Sequence, residues 1–192
     1  MRNQIVINKI ITNSTYGYTF WYGDEDGWHD RFLSISNTVI TFQKISDLFS
    51  FCLKNPDSNI SKFGVFLEHK KTIENFLKLG KKFSRSDFDT FFTLDFRLLD
   101  AKFSDGDWLK WDKKNRYDIL NSLNLVLDFF ELDYIRKIPN GRVFLDYLNE
   151  LTVEDLSTVI NIPEKRKIKI VHVYKRLRSE ILGRILIVKN FI

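Results

Sequence analysis

The side chains of this sequence best suited to nucleophilic or metal chemistry, one cysteine and three histidines, are dispersed along the chain. Cys52 falls on the apolar face of a predicted helix. Reactive thiols need an electropositive and accessible setting, so we expect Cys52 to be a buried structural residue. The histidines are His29, His69 and His172, and none is close in sequence to another or to Cys52. Because zinc sites normally show closely spaced ligand pairs, the sequence predicts no metal site.

The glycines and serines form none of the common motifs of phosphate binding or acyl transfer. The eight glycines are scattered, with no Gly-x-x-x-x-Gly-Lys, no Gly-x-Gly-x-x-Gly and no Gly-x-Ser-x-Gly. An enzyme of unrecognised type would have to bring several of His29, His69, Asp95 and His172 into one deep polar pocket. The sequence therefore predicts a protein that is not an enzyme and holds no cofactor.

Acidic side chains with neighbouring tryptophans mark two predicted loops. The first cluster consists of Asp24, Glu25, Asp26, Trp28 and Asp30, and the second consists of Asp105, Asp107 and Trp108. Neither has the spacing of a calcium-binding loop, which requires a glutamate at the twelfth position. Each cluster is either a solvated turn or an anionic contact surface for a partner protein, in which tryptophan supplies a large anchor.

Basic residues are concentrated at the C-terminal end. Residues 164–192 hold nine Lys and Arg and two Glu, whereas the rest of the chain holds 21 Lys and Arg and 23 Asp and Glu. A stretch of this charge can contact nucleic-acid phosphates. The candidate contacts are Lys165, Arg166, Lys167, Lys169, Lys175, Arg176 and Arg178. The alternative is a solvated amphipathic helix whose charges pair with the acidic body of the protein.

The first third of the sequence has the patterns of a small sheet with one helix. β-Branched residues at 5–11, alternating aromatics at 16–22, and short apolar runs at 31–35, 38–42 and 63–67 predict strands. Ser36-Asn37 is a two-residue hairpin turn between the third and fourth of these. Apolar positions at 45, 48, 49 and 52 then predict a helix that ends before Pro56.

After about residue 70 the apolar period changes to that of helices. We expect helices around 73–79, from Ser86 through 99, at 114–131, around 144–148, from Thr152 onward and at 164–182, the last of which could also begin as a strand. Asp95 lies within the Phe and Leu stripe of the second helix, so we expect a buried ion pair with a basic residue distant in sequence.

These patterns predict an α+β fold, with a small N-terminal antiparallel sheet and a packed helix followed by a mainly helical part. The expected division is a β-rich subdomain at 1–68 and a helical subdomain at 69–192. A single cysteine excludes an internal disulfide, and no apolar run approaches the roughly 18 residues that span a membrane. With no secretory signal pattern, the sequence predicts a cytoplasmic protein without membrane contact.

The segment Tyr-Gly-Tyr-Thr-Phe-Trp-Tyr-Gly-Asp-Glu-Asp-Gly-Trp at 16–28 is followed by short strands and a helix at 42–54. This succession over residues 15–55 resembles the opening of some bacterial toxin-immunity proteins of the contact-dependent inhibition and polymorphic-toxin type. The resemblance implies a small cytosolic α+β chain that occludes the active site of one cognate toxin, such as a nuclease. It also implies that the acidic loops mimic phosphates and that aromatic anchors fill the toxin's cleft.

Overall fold

The computed structural model describes residues 4–23, 31–55, 74, 77–78, 91–104, 113–130, 132–152 and 162–191. The chain divides into two compact units. The first comprises residues 1–93 together with 184–192, and the second comprises residues 94–183. The expected boundary at residue 68 therefore falls inside the first unit, and the C-terminal end of the chain belongs with the N-terminal sheet. The strand predicted at 63–67 and the helix predicted from Thr152 onward lie outside the described residues.

The first unit is built on a mixed seven-stranded sheet. Its strands are β1 (Gln4–Ile11), β2 (Tyr16–Gly23), β3 (Arg31–Phe32), β4 (Ser34–Ile35), β5 (Thr38–Phe42), β6 (Phe91–Asp95) and β7 (Ile185–Val188). Five of them follow the order β4-β5-β2-β1-β6, while β3 pairs with β2 and β7 pairs with β5. The pairs β1–β2 and β2–β5 are antiparallel, whereas β5 and β7 are parallel. The α+β class expected from the sequence is confirmed.

The turn between β4 and β5 is the two-residue hairpin that the sequence predicts. Ser34 pairs with Val39 and Ile35 pairs with Thr38. Ser36 and Asn37 have φ angles of 49° and 64°, so both turn residues are left-handed. Two successive left-handed residues match the right-handed twist of the flanking strands, which is why such turns are favoured in hairpins.

Helix α1 (Ile45–Lys54) packs against one face of this sheet. The predicted spacing of its apolar residues is confirmed, because Leu48, Phe49 and Cys52 are buried. The core cluster on this face is formed by Ile7, Phe20, Leu33, Ile40, Phe42, Leu48, Phe49, Phe51 and Cys52. Burial of each large apolar side chain stabilises the fold by about 1.5–3 kcal/mol, so this cluster holds the strands and helix together.

A row of buried polar residues crosses the opposite face of the sheet. Asn8, Thr19 and Thr41 are each 0% exposed, and Asn8 is paired with Thr19 across β1 and β2. The Thr41 hydroxyl donates to the carbonyl oxygen of Leu186 at 3.2 Å. Within the described part of the chain, neither polar atom of the Asn8 amide has a hydrogen-bond partner. A buried amide without partners costs about 1–3 kcal/mol, so Asn8 is a local weakness of the sheet.

We expect Asn8→Leu to raise the free energy of unfolding by about 1–2 kcal/mol, because it replaces an unpartnered amide with an apolar side chain of similar size. The measurement is a urea unfolding curve followed by tryptophan fluorescence. Thr41→Val is the matched control on the same face, and it is expected to lower stability because its hydroxyl is hydrogen bonded. Equal losses in both variants would contradict the prediction.

The second unit is helical. Its helices are α2 (Phe96–Ser104), α3 (Lys113–Leu127), α4 (Leu132–Lys137), α5 (Gly141–Thr152) and α6 (Glu164–Arg184). The expected helices at 114–131 and around 144–148 correspond to α3, which ends at Leu127, and to α5. Leu123, Val126, Phe144 and Leu148 are buried on their inner faces. None of the helices in the described ranges is long and apolar enough to cross a membrane.

The sequence-based assignment was wrong at the start and at the end of the helical part. Residues 91–95, expected to be helical, form strand β6, and the helix begins only at Phe96. At the C-terminus the predicted helix is present as α6, but Ile185–Val188 then form β7 beside β5. β6 and β7 both join the N-terminal sheet, so long-range strand pairing decided the structure of these apolar runs.

Candidate binding surface on helix α6

The predicted toxin-contacting residues lie outside the described residues. They are Asp24, Glu25, Asp26, Trp28, Asp30, Asp105, Asp107 and Trp108. The structure does define the ends of both segments. Tyr22 in β2 pairs with Arg31 in β3, so the two ends of the segment 24–30 are held side by side at one end of an antiparallel pair. The second segment runs between the end of α2 at Ser104 and the start of α3 at Lys113.

The residues considered for catalysis are not assembled by the described part of the chain. Cys52 is 1% exposed, and burial raises the pKa of its thiol, so the expected structural role is confirmed. His29 and His69 lie outside the described residues, and His172 is exposed on α6. Among the described residues, no group of three His, Cys, Asp or Glu side chains could hold a metal ion.

Asp95 is a helix cap, which corrects the expected pairing with a distant basic residue. Its Oδ1 accepts from the backbone N–H of Arg97 at 2.9 Å, at the first turn of α2. The Arg97 guanidinium donates to both carboxylate oxygens, at 3.1 and 2.9 Å. Burial disfavours ionisation, but these hydrogen bonds outweigh it and lower the pKa of Asp95. Asp95 therefore fixes the transition from β6 to α2.

Helix α6 has one fully buried face. Its buried residues are Ile170, Val173, Tyr174, Leu177 and Ile181. Four of these, Ile170, Val173, Leu177 and Ile181, recur at the three- and four-residue spacing of one helix face, and Tyr174 lies beside them. The Tyr174 ring stacks on Phe103 of α2 with centroids 4.2 Å apart. This face makes α6 a central element of the second unit, and it leaves the opposite face outside the core.

Two arginines of α6 form ion pairs with acidic residues on neighbouring helices. Arg178 pairs with Asp100 of α2 at 2.6 Å, and the Tyr174 hydroxyl donates to the same carboxylate at 2.8 Å. Burial, and then this hydrogen bond, raise the pKa of Tyr174 far above its usual range, so the hydroxyl stays a donor at neutral pH. Arg166 donates through both terminal nitrogens to Glu150 of α5, at 2.9 and 2.6 Å.

Two further cations of α6 are paired within the helix. Arg176 donates to Glu180 at 3.2 Å, and the same carboxylate accepts from the Tyr134 hydroxyl of α4. Lys167 lies 3.4 Å from Glu164. Four of the seven cations considered for nucleic-acid contact, Arg166, Lys167, Arg176 and Arg178, are thus in ion pairs. Arg166 and Arg178 have the pairing with the acidic body that was the alternative interpretation, whereas Lys167 and Arg176 pair within α6 itself. Nucleic-acid contact stays a prediction.

The remaining three cations point away from the core. Lys165, Lys169 and Lys175 are exposed and form no ion pair with a described residue. They share one side of α6 with Ile168 and His172, since positions three and four apart lie on the same helix face. We call these five residues the outward face of α6. Ile168 is 62% exposed, the most exposed of the large hydrophobic residues in the described ranges.

Two grooves flank the outward face. A groove of about 650 Å³ lies toward α5, where Lys165 and Lys169 stand opposite Asp146, and Glu150 is held by Arg166. A groove of about 340 Å³ lies toward α2, and its lining includes Phe103, Ile168, Val171, His172 and Lys175. The first groove is mixed in charge. The lining of the second combines the apolar Phe103, Ile168 and Val171 with Lys167, Lys175 and Glu164, so it can hold an apolar side chain that is attached to an acidic segment.

Sequence reasoning missed Ile168 and His172 as members of this surface. Ile168 stands between Lys167 and Lys169, so composition reports only the charge of the stretch. A signal was present, because Ile168 is off the helical spacing of the buried residues Ile170, Val173 and Leu177. An aliphatic residue that does not belong to the buried stripe of an amphipathic helix is expected to face solvent.

Comparison with known proteins identifies a shared fold and no family. No protein-family model matches the chain, and no curated protein matches it in sequence. A crystal structure described as the SatS C-terminal domain in complex with bromine superposes with a TM-score of 0.63 at 18% sequence identity. The match covers 96% of this chain and 94% of that one. The chain is therefore similar to the SatS C-terminal domain in fold over almost its whole length.

Proposed function

We propose that this chain is an immunity-type protein that binds a cognate bacterial toxin in the cytoplasm and occludes its active site without turnover. The toxin contacts are assigned to Asp24, Glu25, Asp26, Trp28 and Asp30, with Asp105, Asp107 and Trp108 as a second contributor. The observation that supports this is the pairing of Tyr22 with Arg31, because it anchors both ends of 24–30 on the core sheet. A segment anchored in this way presents its side chains at a lower entropic cost than a free tail does.

The charge distribution supports an acidic binding face despite a sequence pI of about 9.2. Excess positive charge is concentrated in residues 164–192, and four of its cations are paired to carboxylates. Clustered carboxylates attract a cationic active site such as that of a nuclease, and tryptophan supplies buried contact area. Complementary charge of this kind accelerates association and selects the partner.

The test is a pull-down from the native host with a tagged wild-type chain and the triple variant Asp24→Asn, Asp26→Asn, Trp28→Ala. We expect the wild type to retain a protein at one-to-one stoichiometry, and the variant to bind it at least about 30-fold more weakly, since hot-spot losses exceed about 2 kcal/mol. The retained protein should then lose its toxic activity on titration with one equivalent of the wild type.

The matched control is Asp133→Asn, which removes an exposed acid of α4 whose side chain is 71% exposed. It is expected to bind the toxin as well as the wild type does. Recovery of no protein partner, together with strong retention on immobilised DNA, would contradict the proposal.

Nucleic-acid binding through 164–192 is the second proposal. The exposed Lys165, Lys169 and Lys175 favour it, although they offer fewer charges than the composition suggests. Three phosphate contacts predict a log–log salt slope of only about −3 on duplex DNA. This is a weak dependence, so a steeper slope would require the paired arginines to change partners.

A further inference from the structure

The outward face of α6 combines positive charge with one exposed aliphatic residue. Lys165, Lys169 and Lys175 span ten residues, or about 15 Å along the helix axis. Glu164 also lines the groove toward α2, but it lies 3.4 Å from Lys167 and is partly neutralised by it. The net character of this face is cationic, so a ligand that covers it is expected to be anionic.

The exposed side chain of Ile168 indicates which class of anionic ligand fits this face. It lies on the edge of the groove toward α2, whose floor is lined by Val171 and the buried Phe103. Sites for single-stranded nucleic acid pair basic side chains with aromatic stacking platforms, and the outward face carries no Phe, Tyr or Trp. Duplex binding through phosphates alone would make no use of Ile168. Membrane-surface helices carry a continuous apolar face, whereas this face has a single aliphatic residue among cations.

We propose that the outward face of α6 docks an acidic amphipathic segment of a partner protein. Carboxylates of the segment pair with Lys165, Lys169 and Lys175, and one of its apolar side chains enters the groove between Ile168 and Phe103. The distance from Lys165 to Lys175 equals about three helical turns of a bound segment. Acidic residues spaced three or four apart with an apolar residue between them therefore match the surface. This inference does not rest on the toxin-immunity proposal.

The test uses a fluorescein-labelled 18-residue peptide of Glu and Leu, with Leu at every third or fourth position, and measures anisotropy against the full chain. We expect micromolar binding. A peptide with Ser in place of Leu is expected to bind at least about 10-fold more weakly, because it lacks the apolar contact. Ile168→Asp and the double variant Lys165→Glu, Lys169→Glu are each expected to lose at least about 10-fold in affinity.

The controls replace exposed residues of the same chemical type on another helix. Leu132 is 46% exposed on α4, and Lys137 is exposed on the same helix. Leu132→Asp and Lys137→Glu are expected to leave peptide affinity unchanged. Circular dichroism melting of Ile168→Asp is expected to match that of Leu132→Asp, because both side chains are on the surface.

Two outcomes would overturn the proposal. One is an Ile168→Asp variant that binds the Glu and Leu peptide as well as Leu132→Asp does. The other is tighter binding of a 20-base-pair DNA duplex, or of vesicles with 30% phosphatidylserine, that is insensitive to Ile168→Asp. Retention of the toxin by Ile168→Asp, with loss of the peptide, would support a surface separate from the acidic segments.

Discussion

Gly141→Ala is expected to lower the free energy of unfolding by at least about 3 kcal/mol. Gly141 is the first residue of α5 and follows Asn140, whose φ of 63° closes the turn after α4. A Cβ atom at position 141 would overlap the carbonyl oxygen of Ile135 and would lie 2.8 Å from its carbonyl carbon. Both atoms belong to the backbone of α4, so the clash can be relieved only by moving one helix relative to the other.

The size of this effect follows from what the turn holds in place. The Gly141 N–H donates to the Ile138 carbonyl at 2.9 Å, and Ile135 and Phe144 on either side are fully buried. A shift of α5 would therefore disturb two core side chains as well as the turn. Overpacking in a well-ordered core costs about 1–3 kcal/mol, and a clash with backbone lies at or above the upper end of that range.

Urea unfolding monitored by circular dichroism at 222 nm measures this loss, and Gly183→Ala is the matched control. Gly183 lies within α6, and a Cβ atom there would meet nothing within 4 Å. Because alanine is a better helix former than glycine, Gly183→Ala is expected to raise stability by about 0.5–1 kcal/mol. Equal midpoints for Gly141→Ala and the wild type would show that the turn can accommodate a methyl group.

Asp100→Ala is expected to lower the free energy of unfolding by about 2–3 kcal/mol, the second largest effect. Asp100 accepts from both Arg178 and Tyr174 of α6, and only 18% of the Arg178 side chain is exposed. Removing the carboxylate takes away the acceptor that a largely buried guanidinium and a buried hydroxyl share. Hydrogen bonds to charged groups contribute about 1.5–3 kcal/mol each.

Two comparisons separate the charge from the hydrogen bond. Asp100→Asn keeps an acceptor for Tyr174 and is expected to lose less than Asp100→Ala. Asp133→Ala removes an ion pair with Arg136 whose two side chains are more than half exposed, and it is expected to cost less than about 0.5 kcal/mol. If Asp100→Ala and Asp133→Ala unfold at the same urea concentration, Asp100 does not hold α2 to α6.

Local patterns predicted the elements whose structure depends on near neighbours. The hairpin at Ser36-Asn37, the inner face of α1 and the buried face of α6 follow from residue spacing and turn chemistry, which act over a few residues. The same patterns failed at 91–95 and 185–188. Both are short apolar runs that suit either a helix or a strand. Each forms a strand because it pairs with the sheet, one run beside β1 and the other beside β5.

The positive charge of the candidate surface could be predicted from the sequence, but the positions of its side chains could not. Composition located the cations of 164–192, but it could not show which of them face Asp100, Glu150 and Glu180. Asp100 and Glu150 are distant in sequence from Arg178 and Arg166, so packing of α2 and α5 against α6 assigns these two pairs, whereas the pair of Arg176 with Glu180 is local to α6. For Asp95 the prediction was wrong in the opposite way. A basic partner distant in sequence was expected, but the ion pair is with Arg97, two residues away.

By itself the sequence determined an α+β chain with an apolar-faced Cys52, dispersed histidines and a basic C-terminal helix. Tertiary structure decided that Arg166 and Arg178 of this helix pair with Glu150 and Asp100 of other helices, and that Lys165, Ile168, Lys169, His172 and Lys175 face outward. The physical reason is that charge and hydropathy are properties of residues. Which charges are neutralised, and which apolar side chain stays exposed, depend on the neighbours that folding brings from distant parts of the chain.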